Sequence, residues 1–351
     1  MDEVCHVGDP AVAPQMAVDL DLMIHFDAIG VLPEREAVMD QGKAATRGPR
    51  VIRLSVAVLL AAIGVSTYGL TGVTPSRAST TPPHIMVIVM ENQGYSQIIG
   101  SSKAPYINSL ASTYASATRW YGLQDSSLAD YIALISGTTG TYSSPTLVGA
   151  FAAANPPISW KAYMEDMSSV CYTGKGIGNY SKLHNPFVYF KSITKTALCN
   201  NVVPVATPLS ESSPMIADLN SSTPPDFVWL TPNECDDMNA KCSPLNNKIK
   251  QGDAWLKATI PLLLGTTWYT QGNGIIIITW DSATTADQSG WNTGTGGHIP
   301  TIVVSAKSAG IPFSSGGNHY GTLRAIEEAY GVTLLGASAN PANGDLTPAF
   351  G

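Results

Sequence analysis

The sequence has no run of basic residues after its N-terminal segment, no C-x-x-C pair, no G-x-S-x-G motif and no internal repeat. These absences remove whole classes of protein. With no basic stripe to neutralise a phosphate backbone, a nucleic-acid binder is excluded as the main reading. Without C-x-x-C or a nearby histidine pair, zinc held by the cysteines has no framework. Without G-x-S-x-G, an ordinary serine hydrolase is disfavoured. Charge is scarce, at 13% of residues, while 44% of the 351 residues are hydrophobic, enough for a substantial core in one large domain or two.

The charge that exists is unevenly placed. Residues 1–38 contain eight acids and one base, Arg35, which is the whole formal net charge of -7; the remainder sums to zero. A basic segment with Lys43, Arg47, Arg50 and Arg53 follows, then the apolar run Leu54 to Leu70, then "PSRAS". Ser76 and Ala78 stand at the small-residue positions that a signal peptidase reads, so the pattern is an export signal with cleavage after Ala78. The run is interrupted by Ser, Thr, Tyr and Gly and is short for a spanning helix; an uncleaved membrane anchor is the competing reading. Met39 is an alternative start, and the acidic leader carries no functional argument. The expected organisation is a leader over 1–50, a hydrophobic export signal or anchor over 51–78, and one domain over 79–351, secreted or extracytoplasmic. An oxidising compartment suits Cys171, Cys199, Cys235 and Cys242, for which 171–199 with 235–242 is the most local of three connectivities.

Four short apolar runs, at 84–90, 226–231, 274–280 and 300–305, are β-branched and not alternating. Such runs mark strands buried on both faces of a parallel sheet. Helical patterns separate them, beginning at Ala104, at Ser127 and after Gly252, with another ending at Gly331. The Pro-, Ser- and Asn-rich stretch 204–225 reads as a surface excursion. Strands alternating with helices predict an α/β fold.

Ligands of an open parallel sheet bind beyond the carboxyl ends of its strands. The first run leads into Glu91 and Asn92, the second into "PNECDDMN" with Asp236 and Asp237, the third into Asp281. Converging acids raise one another's pKa unless a cation neutralises them. A divalent metal held by Glu91, Asn92 and Asp281 resolves the conflict; their oxygens suit a hard ion, with zinc or iron admitted if histidines join. For any one acid, a helix cap or a loop salt bridge is the plainer role.

In "GLQDSSLADYIALISG", residues 122–137, a serine opens a helix. It fits a nucleophile at a phosphate-binding helix N-terminus. It also fits a capping box from Ser127 to Asp130, which the spacing alone favours, and Ser126 and Ser127 are not distinguished. His184, in "GNYSKLHNPFVYF", and His298 and His319 each suit a general acid, a metal ligand or a phosphate donor, with a loop or helix-cap role as the plain alternative.

Taken together, "HIMVIVMENQGYSQIIGSSKAPYINSLAS", "SSLADYIALISG", "GNYSKLHNPFVYF", "TPNECDDMN", "GDAWL", "IIIITWDS" and "NHYGTLRAIEEAYGV" resemble the bacterial and fungal phosphoesterase family of secreted acid phosphatases and phospholipases C. The match runs in order from His84 to Val332. It implies an alkaline-phosphatase-like three-layer α/β/α fold with a mostly parallel central sheet. It also implies a divalent metal bound by Glu91, Asn92, Asp281 and Ser127, with Ser127 as nucleophile. His184 would contact phosphate or assist the leaving group, and His319 sits where the family commonly has a histidine. Asp130, Asp237, Asn239 and His298 are the expected substrate-binding positions. The chain departs from the family pattern at Asp125, Ala129, Asp130, Asn239 and Ser282; Asp287 is a candidate replacement for the acid lost at Ser282. The expected activity is hydrolysis of a small-molecule or lipid phosphoester, a monoester before a phospholipase C-type diester. An exported binding protein with a degenerate site is the alternative from another class.

Overall fold

A computed structural model describes residues 82–283, 287, 290–291 and 294–351. The leader, the apolar run and the cleavage position after Ala78 all lie outside the described residues. Among the described residues there are eleven strands: β1 Ile85–Met90, β2 Ala115–Ala117, β3 Trp120–Tyr121, β4 Trp160–Glu165, β5 Val202–Val205, β6 Phe227–Thr231, β7 Ile275–Trp280, β8 His298–Ile299, β9 Thr301–Val304, β10 Pro312–Phe313 and β11 Gly317–Asn318. Eight form one sheet in the order β10-β2-β9-β7-β1-β6-β4-β5, and β11-β3-β8 form a small second sheet.

The large sheet is parallel except at β9, which pairs antiparallel with both β7 and β2. Every residue of β1, β6 and β7 is buried, so both faces of the central sheet are covered, as an α/β fold requires. Helix Pro105–Thr113 packs on helix Lys248–Leu264, and helix Ser127–Ser136 on helix His319–Tyr330. The reversed strand explains a detail of the sequence. Three of the four apolar runs end in acids and β9 does not, because its end faces the opposite edge and its start, at Thr301 opposite Thr279, lies with the other strands' ends.

Helix boundaries differ from expectation in two places. Helix Lys248–Leu264 starts ahead of Gly252 because the Asn247 side chain caps it, accepting from Lys250 N–H at 3.1 Å. The capping box at Ser127 does not form. Ser126 occupies the cap position, Ser127 is the first helical residue, and neither hydroxyl caps the first turn. The 204–225 stretch is not wholly a surface excursion, since it contains helix Pro214–Leu219 with Met215 and Leu219 buried. Two disulfides, Cys171–Cys199 and Cys235–Cys242, realise the most local connectivity. Among the described residues no helix is long and apolar enough to cross a membrane.

Candidate active site

Glu91 follows β1 and is the hub at the carboxyl edge of the sheet. Its backbone N–H donates to the Asp237 carbonyl at 2.7 Å, and Asp281 N–H donates to the Met90 carbonyl at 2.9 Å, so the loops after β1, β6 and β7 are tied together. One carboxylate oxygen, Oε2, accepts from Ser127 Oγ at 2.9 Å and from Asn92 Nδ2 at 2.9 Å. Asn92 takes a left-handed backbone at φ 53°, which asparagine tolerates better than most side chains. That turn aims its N–H at Asp281 Oδ1, 2.8 Å away, while Nδ2 also donates to Asn239 Oδ1 at 3.1 Å. Ser127, Asn92, Asp281 and Asn239 therefore form one network on the Oε2 side of Glu91.

The other oxygen, Oε1, lies 3.3 Å from His184 Nε2, and His184 Nδ1 lies 2.9 Å from Asp237 Oδ2. These approaches lack hydrogen-bond alignment: Glu91 Oε1, His184 Nδ1 and Asp237 Oδ2 are buried without a hydrogen-bond partner. One ligand atom from each of Glu91, His184 and Asp237 can be chosen so that all lie within 4.8 Å of one another. Orphaned buried polar atoms are costly. Two carboxylates and an imidazole converging in this way form a donor set that suits a transition-metal dication, so the residues fit a metal as the sequence led one to expect, with His184, expected to be catalytic, and Asp237, expected to bind substrate, in the ligand set. Glu91 is common to both sets.

Electrostatics point the same way. Burial, then the Asp281 charge, raises Glu91 well above the ordinary carboxylate range. Burial raises Asp237 similarly, against a 2.7 Å hydrogen bond from Asn239 N–H. No lysine or arginine pairs with Glu91, Asp130, Asp237 or Asp281 among the described residues.

Three of the residues that depart from the family pattern, Asp130, Asn239 and Ser282, have internal partners, while Asp125 is exposed. Asp130 is buried, and its Oδ1 accepts from Leu123 N–H at 2.7 Å, with Gln124 N–H 3.4 Å from both oxygens. It closes the turn ahead of Ser127 instead of facing open space. Ser282 Oγ donates to Asp281 Oδ2 at 3.4 Å. Asp287 is taken up by Ser96, through N–H at 2.9 Å and Oγ at 2.6 Å, so it does not join Glu91.

The remaining histidines are structural in their contacts. His319 is fully buried; its Nε2 lies 2.6 Å from the Asp281 carbonyl, which can only accept, so Nε2 carries the proton. Asp130 Oδ1 is 3.7 Å from the same nitrogen, yet burial holds His319 down to about 4, neutral at physiological pH. His298 donates through Nε2 to the Thr118 carbonyl at 3.0 Å and stacks on Tyr95 at 4.3 Å and Tyr121 at 5.0 Å, apart from the Glu91 hub. Sequence reasoning did not single out Tyr131. Four residues after Ser127, it lies on the same helical face, stacks on His184 at 5.5 Å, and buries its hydroxyl beside Glu91 without an aligned hydrogen bond. That spacing was the available signal.

Glycines allow two close approaches. A Cβ on Gly122 would stand 2.6 Å from the Asp281 carbonyl oxygen, and one on Gly252 would collide with the side chain of Met238. Met238, between Asp237 and Asn239, is itself at φ 81° and buried, a strained position of the kind that clusters at functional sites.

An α/β sheet with an acid-and-histidine cluster at its carboxyl edge and a serine on the first turn of a helix defines a hydrolase-like site. The family profile described as Phosphoesterase family matches residues 101–333, and the chain belongs to that family. It is 27% identical over 295 residues to phosphatidylinositol-3-phosphatase from Mycobacterium tuberculosis, covering 81% of this chain and 90% of that protein. It is 25% identical over 186 residues to phosphate-repressible acid phosphatase from Penicillium chrysogenum, covering 51% of this chain but only 41% of that one. Among solved structures, lipoteichoic acid synthase LtaP from Listeria monocytogenes superposes with a TM-score of 0.50 at 9% identity, covering 75% of this chain and 76% of that one. An alkaline phosphatase superfamily protein from Vibrio parahaemolyticus gives 0.49 at 13% identity, covering 75% and 71%. At these identities the structural likeness is one of fold alone. The chain is a hydrolase acting on phosphoric ester bonds.

Proposed function

We propose that the protein is an exported, metal-dependent phosphomonoesterase with Ser127 as its nucleophile. The observation that carries this reading is the double engagement of Glu91: one oxygen accepts from Ser127 Oγ, and the other, itself without a hydrogen-bond partner, lies 3.3 Å from His184 Nε2 in the cluster that Asp237 completes. Glu91, His184 and Asp237 would hold a divalent cation. When bound, that cation would neutralise the clustered acids and polarise the phosphoryl group. Asn92 and Asp281 fix the Glu91 loop, and Asp130 and His319 fix the turn and the carbonyl beside it.

Ser127 Oγ attacks phosphorus as the bond to the leaving oxygen breaks, and its proton has the Glu91 carboxylate 2.9 Å away as first acceptor. The helix N-terminus receives the phosphate of the phosphoseryl intermediate, and water then releases it. Support for a monoester comes from the two curated relatives, both named as phosphatases. The name of the first extends the substrate class to a phosphoinositide-like lipid. Export is supported by the signal pattern at 54–78 and by two disulfides.

The test is hydrolysis of an aryl phosphate before and after chelation, with metal content measured on the purified protein. Activity that falls at least about a hundredfold on chelation and returns with a divalent ion is expected. Activity indifferent to chelator refutes the metal.

A further inference from the structure

Val170, Ile177, Leu183 and Leu245 are four of the five large apolar side chains exposed among the described residues, each about half exposed at 47–51%. All four fall in two segments, 167–200 and 238–250. Those segments also contain Lys175, Lys182, Lys191, Lys195, Lys241, Lys248 and Lys250, and not one aspartate or glutamate. Residues 82–351 hold 13 lysines and arginines, so more than half lie there without an acid in the same segments. None of the seven forms an ion pair among the described residues.

The fold brings the segments together at the site. The first follows β4 and carries His184; the second follows β6 and begins one residue after Asp237. Because β4 and β6 are parallel neighbours, both loops leave the same edge of the sheet, and Glu234 N–H joins them through the Asn179 carbonyl at 2.9 Å. The same loops begin with Asp166 and with Glu234, Asp236 and Asp237, all half-buried or buried, so the charge among the exposed apolar tips is lysine, with Lys182 lying over the Tyr189 ring at 4.9 Å. Such tips and lysines match the surface of an anionic bilayer, where apolar side chains enter the interface and lysines meet headgroups.

We propose that this face docks on an anionic lipid bilayer, with Ile177, Leu183 and Leu245 inserting and Lys175, Lys182 and Lys241 meeting the headgroups, so that a lipid phosphoester is presented to the site. The docking gives the phosphoesterase reading its substrate class, and rests on it only there; membrane binding is measured without turnover.

The experiment is co-sedimentation of the whole chain with vesicles of phosphatidylcholine alone or with phosphatidylglycerol. It is run on the wild type, Ile177→Ser/Leu245→Ser and Lys175→Ser/Lys241→Ser, with aryl phosphate turnover measured in parallel. The wild type is expected to partition at least about tenfold more strongly to the anionic vesicles, and each pair of substitutions to lower that partition about tenfold. Turnover of the soluble substrate is expected to stay unchanged. Partition that ignores both pairs of substitutions, or that shows no preference for anionic vesicles, overturns the proposal. Loss with the lysine pair alone overturns it as well, since it marks a soluble polyanion site. Absence of turnover in every form, with partition as expected, sinks the catalytic reading and leaves the docking face standing. If the apolar pair unfolds by circular dichroism, Ile177→Ala/Leu245→Ala replaces it, and if the lysine pair unfolds, Lys175→Gln/Lys241→Gln replaces that one.

Discussion

At Asp130 a carboxylate stands among other acids, and the fold accommodates it by burial and backbone donors. Burial, then the charge of Asp281, raises it well above the ordinary range, so its neutral form is favoured. Asp130→Asn therefore resembles the state already present. It is expected to leave the KM for an aryl phosphate within about threefold, which is under 1 kcal/mol. A tenfold fall in KM would mean that the carboxylate faces the phosphate and repels it. Asp130→Ala strands the buried Leu123 N–H and should cost about 1–3 kcal/mol in urea unfolding. The residue's identity suggested a capping acid or a phosphate-facing charge. Its actual partners, Leu123 and Gln124, lie in an irregular turn, and side-chain contacts within such a turn have no period to read.

At the scale of elements, the loop after β6 is braced before it reaches the site. Cys235–Cys242 closes it over a separation of 7 residues, and Gln251 binds both ends, accepting from Cys242 N–H at 3.0 Å and donating to the Cys235 carbonyl at 2.9 Å. Asp237 lies inside the brace. Cys235→Ser/Cys242→Ser should lower stability by about 2–3 kcal/mol on the loop-entropy account, and should lower affinity for the activating metal more than a distant substitution of equal thermodynamic cost. Titration of the metal against chelator buffers reads this; unchanged affinity would show that the brace serves stability alone. Strands β1, β6 and β7 were legible because a fully buried parallel strand writes itself as an uninterrupted apolar run, and the acids at their ends could be read with them. The reversed direction of β9 was not, since pairing sense leaves no mark in a run as short as Thr301–Val304. Convergence of His184 with Glu91 and Asp237 was hidden for a related reason: His184 comes from a long loop whose path is set by the disulfide, Tyr131 and Trp229, which share no local pattern with it.

Across the whole molecule, buried acids set the pH dependence of the metal-free protein. Burial, then the Asp236 charge, pushes Glu165 up to about 8, against hydrogen bonds from Asn233 N–H and Trp255 Nε1. Burial likewise pushes Glu327 up to about 7, against a bond from Ser338 Oγ. A carboxyl raised in the folded state binds its proton more tightly there than in the unfolded chain. Its stabilisation is therefore complete below the unfolded value near 4.5 and is lost as pH rises through 7 to 8. Melting temperature with chelator present should fall between about pH 4.5 and 8, and less steeply in Glu327→Gln. A melting temperature rising over that window would contradict the assignment of these acids. The central claim concerns Ser127, one turn from Tyr131 and in contact with Glu91, with its neighbour Ser126 as an internal control. The most direct measurement is the rate of aryl phosphate hydrolysis by Ser127→Ala beside Ser126→Ala. The account predicts a loss of at least about a thousandfold for the first and less than about threefold for the second; equal rates for Ser127→Ala and the wild type would contradict it.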